Sequence, residues 1–132
     1  AAIEDVITPD NAAKVKARVI LELANGPVTS DADAMLKERG IIVVPDILAN
    51  AGGVTVSYFE WTQNKTGFYW TQEEVQRRLH DVMSREFLAV YELARVRQID
   101  LRTAAYAHAL ARLGKALEAT GTSDMFSHVD IV

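Results

Sequence analysis

The 132-residue sequence contains no cysteine, so it can form neither a disulfide nor a thiolate metal site. It also lacks any apolar run near the roughly 18 residues that a membrane span requires. Its first eight residues include two acidic and no basic side chains, unlike the basic start of a secretory signal. These absences exclude a disulfide scaffold and a transmembrane helix, and we expect a cytoplasmic protein.

The net charge of the chain indicates which partners to expect. The formal net charge is -4, whereas a protein that binds nucleic acid usually presents a basic face to the phosphates. We therefore expect no nucleic-acid partner and no membrane partner. A chain of this length is typical of one domain with a real hydrophobic core.

Two apolar runs, residues 19–24 and 41–44, have the length and β-branched content of strands. Between them the pattern predicts a helix that Thr29 or Ser30 caps and that ends near residue 38, with Gly40 in a left-handed cap. Strand, helix and strand within about 25 residues indicate a parallel βαβ unit. Because both strands are apolar on both faces, the sheet needs a covering layer on each side. We expect the last two helices to supply one layer and the other face to remain an exposed apolar patch.

The remaining chain is predicted to be mostly helical. Thr8 and Pro9 open a short helix to about residue 16. A second helix begins at or just after Asn50 and ends near residue 63, before a break at residues 64–67. Thr71 and Glu74 form a capping box at the start of a long amphipathic helix to about residue 97. Asp100 caps a last, Ala-rich helix to about residue 119, which Gly121 would end.

The most informative segment covers residues 45–61, where a buried strand leads through a turn into a Gly-rich helix start. Ligands of open α/β sheets bind beyond the carboxyl ends of strands, and helix N-termini offer free N–H groups. Gly52 and Gly53 lack a Cβ, and Asn50 has the donor and the acceptor that an amide ligand needs. The alternative interpretation, a capping Asn50 and two glycines required for helix packing, remains equally open.

This segment resembles the signature of glutamate dehydrogenases in the Glu/Leu/Phe/Val dehydrogenase family. Further similarity covers about residues 1–119 in register, at Ala1-Ala2, Ile7-Thr8-Pro9-Asp10-Asn11-Ala12, Leu23-Ala24-Asn25-Gly26-Pro27, Phe68-Tyr69-Trp70-Thr71 and Leu101-Arg102-Thr103-Ala104-Ala105-Tyr106. Several long motifs in the same order are more specific than one glycine pattern. The resemblance implies an α/β fold, with part of a Rossmann-like cofactor domain as a βαβ remnant followed by long C-terminal helices.

The resemblance also implies a role for individual residues. Asn25 would lie beside the nicotinamide ribose, and Asn50 would hydrogen-bond the nicotinamide carboxamide. Gly53 and Val54 would line the floor where the substrate meets the nicotinamide ring. Ser57 would bind the distal carboxylate of glutamate or 2-oxoglutarate, which favours glutamate over the apolar substrates of the other family members. The alternative for Ser57 is a hydroxyl bonded to a preceding helical carbonyl.

The implied activity is oxidative deamination of L-glutamate to 2-oxoglutarate with NAD or NADP as the cofactor of the complete enzyme. The chain, however, lacks the Gly-x-Gly-x-x-Gly turn that holds a pyrophosphate. None of its five lysines lies in the Gly-rich setting of the family's catalytic lysine, and the catalytic aspartate motif is missing as well. We therefore assign no catalytic and no metal residue here, and we expect the chain alone to be inactive.

These observations predict a single domain, the C-terminal part of a dehydrogenase cofactor domain. Residues 1–63 would hold the βαβ unit and the Gly-rich helix start, residues 71–120 the C-terminal helices, and residues 121–132 a tail. We expect a homo-oligomer or association with other dehydrogenase subunits. The alternative function is a non-catalytic fragment or truncated paralogue that acts as a subunit-interaction or regulatory module.

Two other groups of residues favour structural interpretations. His80, His108 and His128 lie far apart without metal-ligand spacing, which is typical of helix-surface or packing histidines. A cluster of aromatic side chains is more typical of a core than of a ligand stack. This aromatic cluster comprises Tyr58, Phe59, Trp61, Phe68, Tyr69 and Trp70.

Overall fold

The computed structural model describes residues 3–120, which form six helices and a two-stranded parallel sheet. In chain order the elements are α1 (Pro9–Ala12), β1 (Val19–Leu21), α2 (Ser30–Glu38), β2 (Ile42–Val44), α3 (Asp46–Ala49), α4 (Ala51–Thr66), α5 (Gln72–Arg97) and α6 (Leu101–Ala119). The described part of the chain is therefore mostly helical, as predicted. None of its helices is long and apolar enough to cross a membrane. Gly121 and the proposed tail, like Ala1 and Ala2, lie outside the described residues.

The two strands confirm the parallel pairing that the sequence predicts. Val19 pairs with Ile42 and Leu21 with Val44, and α2 makes the crossover between the strands. The sheet is nevertheless shorter than the apolar runs. Glu22 N still donates to Val44 O at 3.1 Å, but the next residue, Pro45, has no N–H to continue the ladder.

The two faces of the sheet differ in their cover. Ile20 and Val43 pack on one face against a buried cluster of Ala12, Val28, Ala32 and Leu36. On the opposite face Val19, Leu21 and Ile42 are each more than half exposed. One face therefore remains exposed, as expected, but the cover on the other face comes from α1 and α2 and not from the last two helices, whose core reaches the sheet only at Val44. The layer that would enclose the second face is not supplied by residues 3–120.

Helices α5 and α6 pack around a second core, which contains Leu48, Val90, Ala94, Ala104 and Ala105. The small side chains of Ala104 and Ala105 are buried, so the Ala-rich face allows the close packing that we expected. Val44 packs against the edge of this core and links it to the sheet.

The predicted helix caps are confirmed at three positions. Thr29 Oγ1 accepts a hydrogen bond from Ala32 N, Thr71 Oγ1 from Glu74 N, and Asp100 Oδ1 from Thr103 N. Gly40 adopts the expected left-handed conformation with φ of 71°. The Glu74 carboxylate, in contrast to the capping-box prediction, accepts from Arg78 at 2.7 Å.

Two helix ends differ from the predictions, and one short helix was not predicted. Helix α1 ends at Ala12 instead of near residue 16, and the short helix α3 was not predicted. Helix α4 continues to Thr66 and ends at Gly67, so the predicted division at residue 63 falls inside a helix. Polar side chains near the predicted break satisfy nearby backbone groups. Thr66 Oγ1 bonds to Thr62 O, and Gln63 Oε1 accepts from Trp70 N, so the helix loses little by continuing.

Candidate functional site

Two turns meet at the carboxyl ends of the strands, where α/β proteins place their ligands. Asn25 lies in the turn after β1, and Asn50 lies between α3 and α4, after β2. The two side chains are hydrogen-bonded, since Asn50 Nδ2 donates to Asn25 Oδ1 at 2.6 Å. The structure thus joins two residues that are 25 positions apart in the sequence.

This amide pair leaves complementary atoms for a ligand. Each Asn side chain carries one carbonyl oxygen and one NH₂ group. Their mutual bond uses the Asn25 oxygen and one Asn50 N–H, and it leaves Asn25 Nδ2 as a donor and Asn50 Oδ1 as an acceptor. Neither atom has another hydrogen bond within residues 3–120. A carboxamide, which has one carbonyl and one NH₂, matches this donor and acceptor.

A shallow concavity of about 630 Å³ surrounds the pair, lined by Glu4, Leu23, Ala24, Asn25, Asn50 and Val54. Of the five site residues suggested by the sequence, it therefore brings together Asn25, Asn50 and Val54. Gly53 and Ser57 are not part of the lining. They lie exposed on α4, beside and one turn beyond Val54.

The alternative interpretation of the Gly-rich start is not supported. The Asn50 side chain does not cap α4. A Cβ built on Gly53 would meet nothing within 4 Å, and one built on Gly52 would make only ordinary contact with Leu79 Cδ1 at 3.9 Å. Packing among the described residues therefore requires glycine at neither position. The open space over Gly53 remains free for another group.

The alternative for Ser57 fails in the same way. Thr55 and Thr62 on the same helix donate their hydroxyls to the carbonyls four residues earlier, at 2.8 and 2.9 Å. In the part of the chain that the structure describes, the Ser57 hydroxyl makes no such bond and is exposed to solvent. It is therefore available to an external partner.

A buried ionic network lies beneath the two turns. Arg102, in the first turn of α6, donates to Glu22 Oε1 at 2.7 Å and to Asp33 at 3.3 Å, and its Nη1 lies 3.7 Å from Asp46 Oδ1. The Glu22 side chain is fully buried, and its second oxygen accepts from Asp46 N at 2.8 Å. No pattern of neighbouring residues in the sequence predicts this network. The one available signal was the position of Arg102 inside a matched motif.

The network favours a charged Arg102. Burial alone would lower the pKa of its guanidinium, but the hydrogen bonds and negative charges of Glu22 and Asp33 outweigh burial and raise the pKa above its usual value. No buried side-chain nitrogen or oxygen among the described residues lacks a hydrogen-bond partner. The buried charges are therefore fully paired, as a stable network requires.

The remaining candidate groups have structural surroundings. His80 is exposed, His108 bonds to Glu86 at 3.0 Å, and His128 lies outside the described residues. Residues 3–120 contain no cluster of three potential metal ligands from His, Asp and Glu. In the aromatic cluster Phe59 is buried against Trp70, with ring centroids 5.6 Å apart. The core interpretation is wrong for the other four, Tyr58, Trp61, Phe68 and Tyr69, which are each more than half exposed.

The site combines a parallel strand pair, a polar pair at its carboxyl edge and an uncapped Gly-rich helix, which is where proteins of the α/β class bind their ligands. The sequence model of the Glutamate/Leucine/Phenylalanine/Valine dehydrogenase family matches residues 1–121. The chain belongs to this family.

Individual relatives agree with this assignment. The chain is 53% identical to an NADP-specific glutamate dehydrogenase of Synechocystis and 50% identical to an NAD-specific glutamate dehydrogenase of Staphylococcus aureus, covering 96% and 92% of this chain. It spans about 29% of the length of each of these relatives.

Solved structures give the same result. The crystal structure of glutamate dehydrogenase from Peptoniphilus asaccharolyticus matches with a TM-score of 0.86 and 42% identity, over 92% of this chain and 30% of that one. The hetero-hexameric glutamate dehydrogenase from Thermus thermophilus matches with a TM-score of 0.87 and 38% identity, over 91% of this chain and 29% of that one.

Proposed function

We propose that this chain forms the nicotinamide-binding part of an NAD- or NADP-dependent glutamate dehydrogenase, which deaminates L-glutamate oxidatively to 2-oxoglutarate. The observation that carries the proposal is the bonded pair of Asn25 and Asn50, which presents a free donor and a free acceptor at the carboxyl edge of the sheet. Both groups fit the carboxamide of a nicotinamide ring. The relatives at 50% identity and above are named for the same reaction with either cofactor.

In this role the two asparagines orient the cofactor. The nicotinamide ring accepts the hydride when the cofactor is bound, and the protein's contribution is to hold the ring and the substrate in register. Asn50 Oδ1 would accept from the carboxamide NH₂, while Asn25 would contact the adjoining ribose or the carboxamide oxygen. Their mutual hydrogen bond restricts both side chains before the cofactor arrives, which lowers the entropy cost of binding.

The exposed start of α4 would serve the substrate. Gly53 leaves open space above the helix backbone, and Val54 supplies an apolar wall next to Asn50. The free hydroxyl of Ser57 would donate to the distal carboxylate of glutamate, a bond that an apolar substrate cannot accept. A binding step of this kind favours dicarboxylic over branched-chain substrates.

The proposed domain is the C-terminal part of a Rossmann-like cofactor domain. The residues up to the end of α4 contribute the βαβ unit and the Gly-rich helix start, and residues 71–120 contribute the helices that pack behind it. The pyrophosphate turn and the catalytic lysine and aspartate would come from other parts of the polypeptide. We expect the complete protein to be cytoplasmic. We also expect it to assemble as an oligomer, because the Thermus thermophilus relative is hetero-hexameric.

The test is the change Asn50→Ala in the complete polypeptide that carries this chain. Fluorescence titration with NADH and NADPH measures the Kd of each cofactor. Losing one neutral hydrogen bond costs about 0.5–1.5 kcal/mol, so we expect the Kd to rise about three- to tenfold. Asn64→Ala, at the far end of the same helix, is the matched control and should leave the Kd unchanged.

Two results would contradict the proposal. An unchanged Kd for both cofactors in Asn50→Ala would show that the amide pair does not hold the nicotinamide. A complete wild-type polypeptide that shows no glutamate-dependent reduction of NAD or NADP would favour the non-catalytic interaction module.

A further inference from the structure

Asp46 is the residue that connects the two turns of the candidate site. Its carboxylate oxygen Oδ2 accepts from Gly26 N at 2.8 Å, directly after Asn25 in the chain. Its backbone oxygen accepts from Asn50 N at 3.0 Å. One residue therefore bonds to the backbone at or next to both members of the amide pair.

The turn that carries Asn25 depends on this contact. Gly26 adopts a left-handed conformation with φ of 55°, which a residue with a Cβ rarely adopts. The described residues hold the turn through two backbone bonds at Gly26. Asp5 N donates to Gly26 O at 2.9 Å, and Gly26 N donates to Asp46 Oδ2. Loss of the Asp46 contact would leave this turn held by the backbone bond from Asp5 N and by the side-chain bond between Asn25 and Asn50.

Asp46 itself is held from the opposite end of the chain. Arg102 Nη1 lies 3.7 Å from Asp46 Oδ1, and Arg102 Nη2 bonds to the Glu22 carboxylate whose other oxygen accepts from Asp46 N. Glu22 and Asp46 are neighbouring carboxylates, so their charges repel each other unless a cation lies between them. Arg102 supplies this cation from α6 and holds both carboxylates in place.

We propose that Arg102 is a positioning residue which, through Asp46, sets the separation of Asn25 and Asn50 and thereby the affinity for the nicotinamide cofactor. This inference rests on the function proposed above. Arg102 is only a quarter exposed and does not line the concavity around the amide pair, so it acts through the Asp46 carboxylate.

A comparison of matched variants of the complete polypeptide separates positioning from fold stability. Arg102→Met keeps the length of the side chain but removes the charge and the donors. Lys37→Met removes an ion pair to Asp100, 2.9 Å long, that also anchors the start of α6 but does not involve Asp46. Titration with NADH and NADPH should show a Kd on the order of tenfold higher in Arg102→Met and an unchanged Kd in Lys37→Met.

The double variant Arg102→Met with Asn50→Ala tests the route of the effect. Residues that act through one shared contact give non-additive changes. If Arg102 acts through the amide pair, its substitution should raise the Kd much less in the Asn50→Ala background than in the wild type. Hydrogen exchange at the Gly26 amide gives a readout without cofactor, and we expect faster exchange in Arg102→Met but not in Lys37→Met.

Each outcome decides the inference. A folded Arg102→Met variant with wild-type Kd and wild-type Gly26 exchange would overturn it, as would an equal effect in both backgrounds. If Arg102→Met does not fold, Arg102→Lys and Asp46→Asn take its place, and the lysine variant should lie between the wild type and Asp46→Asn. If Asn50→Ala itself leaves the Kd unchanged, the proposed function fails. If Asn50→Ala raises the Kd but the Arg102 variants leave the Kd unchanged, the positioning role of Arg102 fails and the proposed function stands.

Discussion

The uncovered face of the sheet should drive self-association when residues 1–132 are expressed alone. Val19, Leu21 and Ile42 on this face are each more than half exposed, and the strand edges carry unpaired backbone groups. Full burial of one such side chain contributes about 1.5–3 kcal/mol, so covering the exposed half of all three contributes about 2–4.5 kcal/mol per chain.

A dimer that covers this face on both chains therefore gains about 4–9 kcal/mol before the cost of association is subtracted. We therefore expect a dimer or larger species, with a Kd on the order of micromolar. Sedimentation velocity at protein concentrations across the micromolar range measures this Kd. Val19→Lys should weaken the association, while Val96→Lys, which changes an exposed valine of α5, is the matched control. A folded monomer at every concentration would refute the reasoning, because it would show that the exposed face needs no cover.

Two further predictions concern single side chains. In the complete enzyme Ser57→Val should raise the KM for glutamate roughly ten- to a hundredfold, since a hydrogen bond to a charged carboxylate contributes about 1.5–3 kcal/mol. Ser57→Thr should retain most of the affinity in the same steady-state assay, and an unchanged KM in Ser57→Val would exclude the contact. The second prediction is that Asp100 contributes to the stability of the fold in a way that is lost in acid. Burial would raise the pKa of its carboxyl, but the Thr103 N–H and Lys37 lower it from 3.8 to about 2. A depressed pKa stabilises the fold above 3.8, and this part is lost as the pH falls toward 2. Because Asp100 is partly exposed, we expect this loss to be about 1 kcal/mol of unfolding free energy. Urea unfolding at several pH values measures it, and the loss should be absent in Asp100→Asn.

The features that the sequence predicts well are those determined by neighbouring residues. The caps at Thr29, Thr71 and Asp100 need only a side-chain oxygen and an N–H three residues later, so pattern alone locates them. The parallel strands follow from apolar runs on either side of a capped helix. The shorter sheet depended on Pro45, whose missing N–H ends the ladder one residue after Val44.

The features that the sequence does not predict depend on distant contacts. No local pattern indicates that Glu22, Asp46 and Arg102 meet, since the arginine lies 80 residues from the glutamate. The short helix α3 was missed for a related reason. The N–H of its first residue, Asp46, donates to the Glu22 carboxylate, and the Asp46 carboxylate accepts a hydrogen bond from Gly26 N. These tertiary contacts stabilise a helix that is too short to form by itself. Resemblance to the family suggested Asn25 and Asn50 separately, but only the fold shows that they bond to each other.

The link between Glu22 and Arg102 has a consequence for protein synthesis. Domains emerge from the ribosome N-terminal part first, so both strands and both asparagine turns are available before α6 exists. Until Arg102 emerges, the carboxylates of Glu22 and Asp46 face each other without their cation. The candidate site should therefore be completed only after residue 102 has emerged, and a nascent chain stalled before that point should hold the sheet but not the ordered turn at Gly26.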